Sequence, residues 1–406
     1  MKRDIRILVC LICIIVPVFF CGCNPESRRN SLTVTMSLGE EEWRVLRAEI
    51  FPQFEQDHNV SIRSLQIESG QLATKLEALA AGNKQEIDVF AQDNMELSAL
   101  INKDLVLDLS AYAGSIPSEV LPNLVDSCTF GAKLMFMPFR PNVQIVFYNK
   151  DAFAGHDLTV PRTWGELLSV AEKFKEDGGQ GRVLLKAFGG NPTATQVYEF
   201  VLQAGGDPYS FDDAGCVQAF EFLQKLWPYV SQESIRAKWD TANEILARQE
   251  AYLGQNWPFG IVVLIDRYKL DFIGTYSGWS GPAGEVHVIG GDVFGISENS
   301  SNIGLALDFI KYMQSKSVQE KLAARLGWPS IRADAYAAVP EKQRSHYAAV
   351  AQALSRGVFR RNVTWWPAYA KYISEAFQEI VIGQQPVQEN LTKFKERLEK
   401  EKSLFR

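Results

Sequence analysis

Short β-rich segments alternate with segments whose apolar residues recur every three or four positions, and nothing else in this 406-residue chain limits its fold as strongly. LTVTMSL at Leu32–Leu38 reads as a strand that Gly39 breaks. Trp43, Leu46, Ile50 and Phe54 then mark one face of a helix. Val60–Ile67 is β-rich. Gln71–Ala81 carries Leu72, Leu76 and Leu79 on one helical side, with Gly82 at its stop. Ile87–Ala91 has the composition of a buried strand, Met95–Asn102 reads helical, and Leu105–Leu109 extended. Strands alternating with helices predict a mainly parallel sheet with helices on its faces.

A second unit of the same kind opens at Val143–Tyr148. Thr163 and Glu166 have the spacing of a capping box, starting a helix that runs to about Asp177. Val183–Phe188 reads as a strand, Thr195–Ala204 and Cys216–Leu226 as helices. Asn243–Leu253 reads as a further helix through Ile245, Leu246, Gln249 and Tyr252. The stretches GQNWPFG, SGWSGPAG and IGGDVFGIS fit neither period, and from Asn302 the pattern is helical almost to the end. Two successive α/β units also suit the length, because one core rarely serves a chain of this size.

The first residues are a different case. Ile7–Phe20 carries no charge and follows Lys2, Arg3 and Arg6. A run of about 14 apolar residues is short for a membrane span and suits a signal-peptide core. It resembles a bacterial lipobox. Cys23 follows the small Gly22, whereas Cys21 follows bulky Phe20, so the expectation is a signal peptide over 1–22 and lipidation of Cys23. Residues 23–30 are then a polar linker. The alternative is a hydrophobic anchor that is never cut.

Several classes are disfavoured. A hydrophobic share of 46% with 22% charged residues belongs to a folded globular protein. The net charge is −6, and residues 1–22 remove three basic groups and one acidic one, leaving about −8 without any basic patch to track phosphates. Nucleic acid is therefore not an expected partner. Of the six cysteines, Cys128 and Cys216 alone remain beside the lipidated one, which is no disulfide framework. Four separated histidines do not make a metal site. No phosphate-cradling loop is present, and Gly278-Trp-Ser-Gly281 has Pro282 where a nucleophile elbow needs glycine, so it reads as a turn. Carboxylate pairs for glycoside hydrolysis could be drawn from 48 acidic residues in too many ways to rank.

The tryptophans are more informative. Trp257, Trp279, Trp328, Trp365 and Trp366 sit beside Gly, Pro or Ser in predicted loops. Indole faces flanked by polar side chains suit the apolar faces of sugars. Trp164, Trp227 and Trp239 fall on predicted helices and read as core.

Spread along the chain are segments that together resemble one family. They are Phe51-Pro-Gln-Phe-Glu55 before Val60-Ser-Ile62, Lys75-Leu-Glu-Ala-Leu-Ala-Ala-Gly82 before Ile87-Asp-Val-Phe90, and Met137-Pro-Phe139 before Val146-Phe-Tyr-Asn-Lys150. Val160-Pro-Arg-Thr-Trp-Gly-Glu-Leu167, the most specific, is followed by Gly290-Gly291, Phe294-Gly-Ile296, Gly327-Trp-Pro329 and Arg361-Asn-Val-Thr364. The chain resembles the extracellular solute-binding proteins of ABC importers, in the maltose-binding-protein-like, sugar-binding branch. Ile87 stands where that pattern usually has proline.

That resemblance implies a two-lobed α/β fold of the periplasmic-binding-protein type II class, with a hinge of crossing segments. Lobe 1 would comprise 31–138 plus 280–313, and lobe 2 139–279 plus 314–406. It implies a monomer at the cell envelope that hands a sugar to membrane permease subunits, with no cofactor, metal or catalytic residue. Contacts in the family come from loops after strands. The implied ligand-binding residues are Gly39, Glu40 and Glu41, then Gly70 and Gln71, then Asp93, with Arg140 and Asn142 at the crossing. Trp257, Trp279, Gly291, Asp292, Trp328 and Trp366 complete the set. Glu41, Asp93 and Asp292 would bond hydroxyls, the tryptophans would stack, and Arg140 would meet an acidic or hydroxyl group. Arg140 is unusual there and admits an anionic solute. A polyamine or phosphate-ester receptor and a cell-surface glycan hydrolase stay open as alternatives.

Overall fold

The structure, a computed structural model, describes residues 30–402 apart from 362 and 364. The signal peptide expected over 1–22 and the lipidated Cys23 lie outside the described residues. Strand β1 (Asn30–Met36) pairs in parallel with β2 (Val60–Gln66) and with β3 (Val89–Asp93). Between them, the helical face that the sequence marks at Trp43, Leu46, Ile50 and Phe54 is buried throughout. Six strands make this first sheet. β4 (Met137–Val143) joins it at one edge, and the chain then passes through Gln144 into β5 (Ile145–Asn149) of a second sheet.

In the second sheet β5 lies between β7 (Leu253–Asn256) and β8 (Ile273–Tyr276), both antiparallel to it, and the two-residue β6 (Val183–Leu184) pairs with β7 in parallel. This sheet is mixed rather than mainly parallel. The chain returns to the first sheet with β9 (His287–Ile296). That long strand is antiparallel to β3 and β4 and parallel to β10 (Gly357–Phe359). The sequence pattern expects a helix over 243–253. The helix is Trp239–Ala247, and the chain turns at Gln249, whose φ is +57°, into β7. Every residue of β7 is buried, so the strand shows no alternation to read.

Three apolar clusters follow from this arrangement. One lies under the first sheet and includes Leu32, Phe90, Phe294 and Phe309. A second surrounds the helices beside the second sheet, with Phe200, Leu223, Trp279 and Tyr369. A third joins β5 to Ile245 and Tyr347. Each fully buried Leu, Phe or Val contributes about 1.5–3 kcal/mol relative to exposure. Thr163 starts helix Trp164–Gly178 as its spacing predicts, its Oγ1 accepting from the Glu166 N–H at 3.2 Å. The Glu166 carboxylate accepts in turn from the Arg162 N–H at 2.6 Å, one residue before the cap. No helix of the described residues is long and apolar enough to cross a membrane. Cys128 and Cys216 are free and buried.

Candidate functional site

A cleft of about 610 Å³ opens between the first sheet and the helices packed on the second cluster. Its floor is a row across three strands: register sets Asp292 of β9 beside Asp93 of β3 on one side and Arg140 of β4 on the other. A bulge after Asp292 re-aims this row. Gly291 makes it possible. Its φ is +103°, and a β-carbon there would stand 2.0 Å from the Arg140 carbonyl oxygen. We expect Gly291→Ala to cost about 1–3 kcal/mol of stability or more, read by denaturant unfolding, because the site penalises both its backbone angle and its added carbon.

Arg140 is held by its own chain. Its Nη1 donates to Glu42 Oε1 at 2.9 Å, its Nη2 donates to Asp292, and its guanidinium lies 4.6 Å over the Trp328 ring. Burial works against the charge, but Asp292 and Glu42 outweigh it and hold the pKa above the ordinary arginine value. Glu42 completes the clamp: Oε1 also accepts from Trp328 Nε1 at 2.8 Å, and Oε2 from the Gly39 N–H at 2.7 Å. The anionic solute that Arg140 admits in the sequence loses its support here, since the guanidinium already faces two carboxylates.

The same cleft is lined by a second arginine that the sequence does not single out. Arg360 follows β10, is 6% exposed, donates from Nη1 to Thr195 Oγ1 at 2.8 Å, and lies 4.7 Å over Trp366. Its Nε has no hydrogen-bond partner among the described residues. Burial pushes its pKa below the usual value, and Asp93 is the foremost opposing charge. Asp93 accepts from the Met95 N–H at 2.9 Å. Burial, then the Asp292 charge, raises its carboxyl from 3.8 to about 6, against the pull of Arg360, the Met95 N–H and Arg140.

Of the residues implied by the sequence, Asp93, Arg140, Asn142, Trp257, Gly291, Asp292, Trp328 and Trp366 line this cleft. Trp279 does not. It is 1% exposed in the second cluster, tilted against Phe200 at 6.3 Å between ring centres. Gly39, Glu40, Gly70 and Gln71 lie where helices begin and do not reach the cleft. The Glu41 side chain lies outside the described residues. The acid that the first loop does supply is Glu42, one residue on, turned inward by its position in the first helical turn.

Stacking is also redistributed. Trp328 and Trp366 each have one face under a guanidinium, and Trp366 Nε1 donates to Asn191 at 2.9 Å. Trp257 instead meets Trp239 edge-on at 6.2 Å and 69°, making an aromatic corner. Gly290 lets the Trp257 indole lie against β9, since a β-carbon there would come within 3.2 Å of the ring. Helical phase alone puts Trp239 in the core. It shares a stripe with Ala242, Asn243 and Leu246, but the first turn extends past the core's edge into the cleft. Trp365 packs on Tyr209 and takes no part in the lining. Four carboxylates (Glu42, Asp93, Glu96, Asp292) and two guanidiniums give the wall a net negative charge. Among the described residues no group of His, Cys, Asp or Glu is placed to hold a metal ion.

Residues 49–349 match the family described as bacterial extracellular solute-binding protein. The chain is 23% identical over 308 residues to an uncharacterized ABC transporter extracellular-binding protein of Pyrococcus horikoshii, spanning 71% of this chain and 70% of that one. Its fold is similar to that of the sugar-binding protein MalE from Xanthomonas citri, with a TM-score of 0.81 at 19% identity over 93% of this chain and 99% of that one. The cyclic alpha-maltosyl-1,6-maltose binding protein from Arthrobacter globiformis gives a TM-score of 0.78 at 19% identity, over 91% and 98% of the two chains. The fold is thus the two-lobed α/β type II architecture, with the cleft between its lobes. With a match across most of its length, the chain belongs to the family of bacterial extracellular solute-binding proteins.

Proposed function

We propose that this protein is the lipid-anchored receptor of an ABC importer, a monomer that captures a sugar or oligosaccharide between its lobes and delivers it unaltered to membrane permease subunits. The observation that carries the reading is the cleft wall itself: the Trp239–Trp257 corner offers apolar faces beside Asp93, Asn142 and Arg360, which supply acceptors and donors for hydroxyls. Structural neighbours named as binding maltose, maltotetraose and alpha-D-tagatose support it. The relative named an ABC transporter extracellular-binding protein supports the transporter role. Lipidation of Cys23 rests on the sequence alone, whereas an extracellular or periplasmic placement is supported by the family and by the relative named an extracellular-binding protein.

We assign lobe 1 to 31–138 plus 280–313, and the remainder to lobe 2. Helix Lys316–Leu326 is the exception within that remainder: its Val318 and Leu322 pack into the cluster under the first sheet, so it goes with lobe 1. A solute that touches both lobes only when they close stabilises the closed state. A thermal-shift panel of sugars tests the function. Intact ligand at a hundredfold excess over its dissociation constant stabilises the protein by about 2.7 kcal/mol. Product release in a parallel turnover assay, or no response to any sugar, overturns the proposal.

A further inference from the structure

We infer that a second cavity, at the end of the second sheet away from the cleft, binds a phosphate monoester, carried by a small molecule or by a lipid headgroup. The cavity measures about 690 Å³ and shares no lining residue with the cleft. Strand register fixes its position. Asn256, the last residue of β7, lies opposite Ile145 and leads into Trp257 of the cleft, whereas Asn149 lies opposite Ile273 at the other end of β5. Lys150 follows Asn149 there, beside Ile273, Gly274 and Thr275 of β8, the edge strand of this sheet. Gly274 lets the Tyr148 ring lie against β8, since a β-carbon would stand 2.4 Å from it.

Three lysines, Lys150, Lys269 and Lys342, line this cavity against a single carboxylate, Asp271. In a chain of net charge −6 that is a local reversal of sign. Lys342 is already paired, its Nζ 2.5 Å from Asp266 Oδ1, but Lys150 and Lys269 have no ion pair among the described residues. Helix Arg344–Ser355 opens onto the cavity through Ser345 and His346 at its N-terminus, the end that favours negative charge. Its N-cap Gln343 supplies no side-chain cap and donates to Asp266 instead. His346 is 6% exposed. Its Nδ1 lies 2.9 Å from Thr275 Oγ1, and its Nε2 has no hydrogen bond among the described residues. Burial pushes its pKa below the usual value, and Lys150 adds to this against Asp266, so the ring is neutral at pH 7 and within reach of that ammonium's field. In the tautomer that accepts from Thr275, Nε2–H is a free donor.

A phosphate monoester brings about 1.5 to 2 negative charges near neutral pH and three strong acceptor oxygens. Two unpaired ammoniums, a third partly neutralised one and the His346 N–H match that count, where a carboxylate offers one charge and a hydroxyl none. Lysine binds phosphate as a point charge on a flexible stem, so exposed lysines at the rim can converge on one group. Tyr148, Ile265, Leu270 and Ile273 supply apolar wall, and the volume lies in the range of small-molecule sites, which leaves room for the organic remainder.

The experiment is calorimetric titration of the unlipidated mature chain with glycerol 3-phosphate, beside co-sedimentation with phosphatidylcholine vesicles with and without phosphatidic acid. Wild type is expected to bind glycerol 3-phosphate but not glycerol, with an affinity that falls as salt is added. Lys150→Gln combined with Lys269→Gln is expected to weaken binding tenfold or more, and His346→Gln several-fold. Both lysines are exposed, so the double variant keeps its fold even if the histidine variant does not. Lys84→Gln combined with Lys225→Gln removes the same charge from exposed positions outside both cavities, and is expected to leave the affinity unchanged. A calorimetric response lost in the Lys150 and Lys269 variant supports the site with a soluble ligand. Sedimentation that needs phosphatidic acid and those two lysines, without a calorimetric response, supports it with a headgroup. No binding to either probe, an unchanged affinity in the Lys150 and Lys269 variant, or an equal loss in the Lys84 and Lys225 variant overturns it. None of these residues lines the cleft, so the response of the protein to sugars stands or falls separately.

Discussion

Trp279→Ala should unfold about 3–5 kcal/mol more easily than the wild type, as removal of a large buried aromatic side chain does, yet retain its sugar affinity wherever it remains folded. Trp257→Ala should do the reverse in the binding assay, weakening sugar affinity tenfold or more, which corresponds to about 1.4 kcal/mol. The two indoles have the same sequence context, a tryptophan among glycine, serine and proline, but different surroundings. Trp279 is sealed against Phe200 in the second apolar cluster, with an indole N–H that finds no acceptor among the described residues. Trp257 is held between β9 and Trp239 at the wall of the cleft. Equal affinity losses in the two variants, measured by titration at a temperature where both are folded, would show that Trp279 reaches the ligand after all and that the aromatic corner is wrongly placed.

This contrast shows what local sequence carries. Loop placement tells that a tryptophan is not on a regular helical face; it does not tell which way the loop turns. Trp257, Trp328 and Trp366 reach the cleft because the strand and helices that carry them end at its rim. Trp239 fails in the opposite sense: phase gives the side of a helix, not how far along the axis the core extends. The alternation of β1, β2 and β3 with helices is legible because parallel strands with amphipathic connections leave a periodic record. β10 has three residues and β6 two, too few for any period, and Arg360 directly follows β10. Its surroundings include Thr195 and Asp93, 165 and 267 positions away in the chain, and only the folded chain brings them near. Asp93 itself is legible, since the end of a buried strand in an α/β sheet is where a cleft forms.

Asp93→Asn is expected to make the unliganded protein more stable at pH 7.5 while making it a poorer receptor. The wild-type carboxyl has its pKa raised from 3.8 to about 6, first by burial and then by Asp292. A raised carboxyl pKa means that the native state binds the proton more tightly than the unfolded chain. Its favourable contribution is therefore complete below about pH 4, declines as pH rises through about 6, and is absent at neutrality. Asparagine carries no such charge and can still accept from the Met95 N–H. A tenfold difference in proton affinity between the folded and unfolded chain is worth about 1.4 kcal/mol, and partial exposure of Asp93 reduces the total to roughly 1–2 kcal/mol. The stability difference between variant and wild type should thus be present at pH 7.5 and vanish near pH 4, in denaturant melts run across that range. Binding runs the other way. The ionised carboxylate is the stronger acceptor for a sugar hydroxyl, so wild-type affinity should fall as the solution is acidified through pH 6, and Asp93→Asn should bind weakly with no step there. A wild type whose affinity is flat from pH 7.5 to 5, or an asparagine variant no more stable than the wild type at pH 7.5, would show that Asp93 is not held charged at a desolvated position for the ligand to relieve.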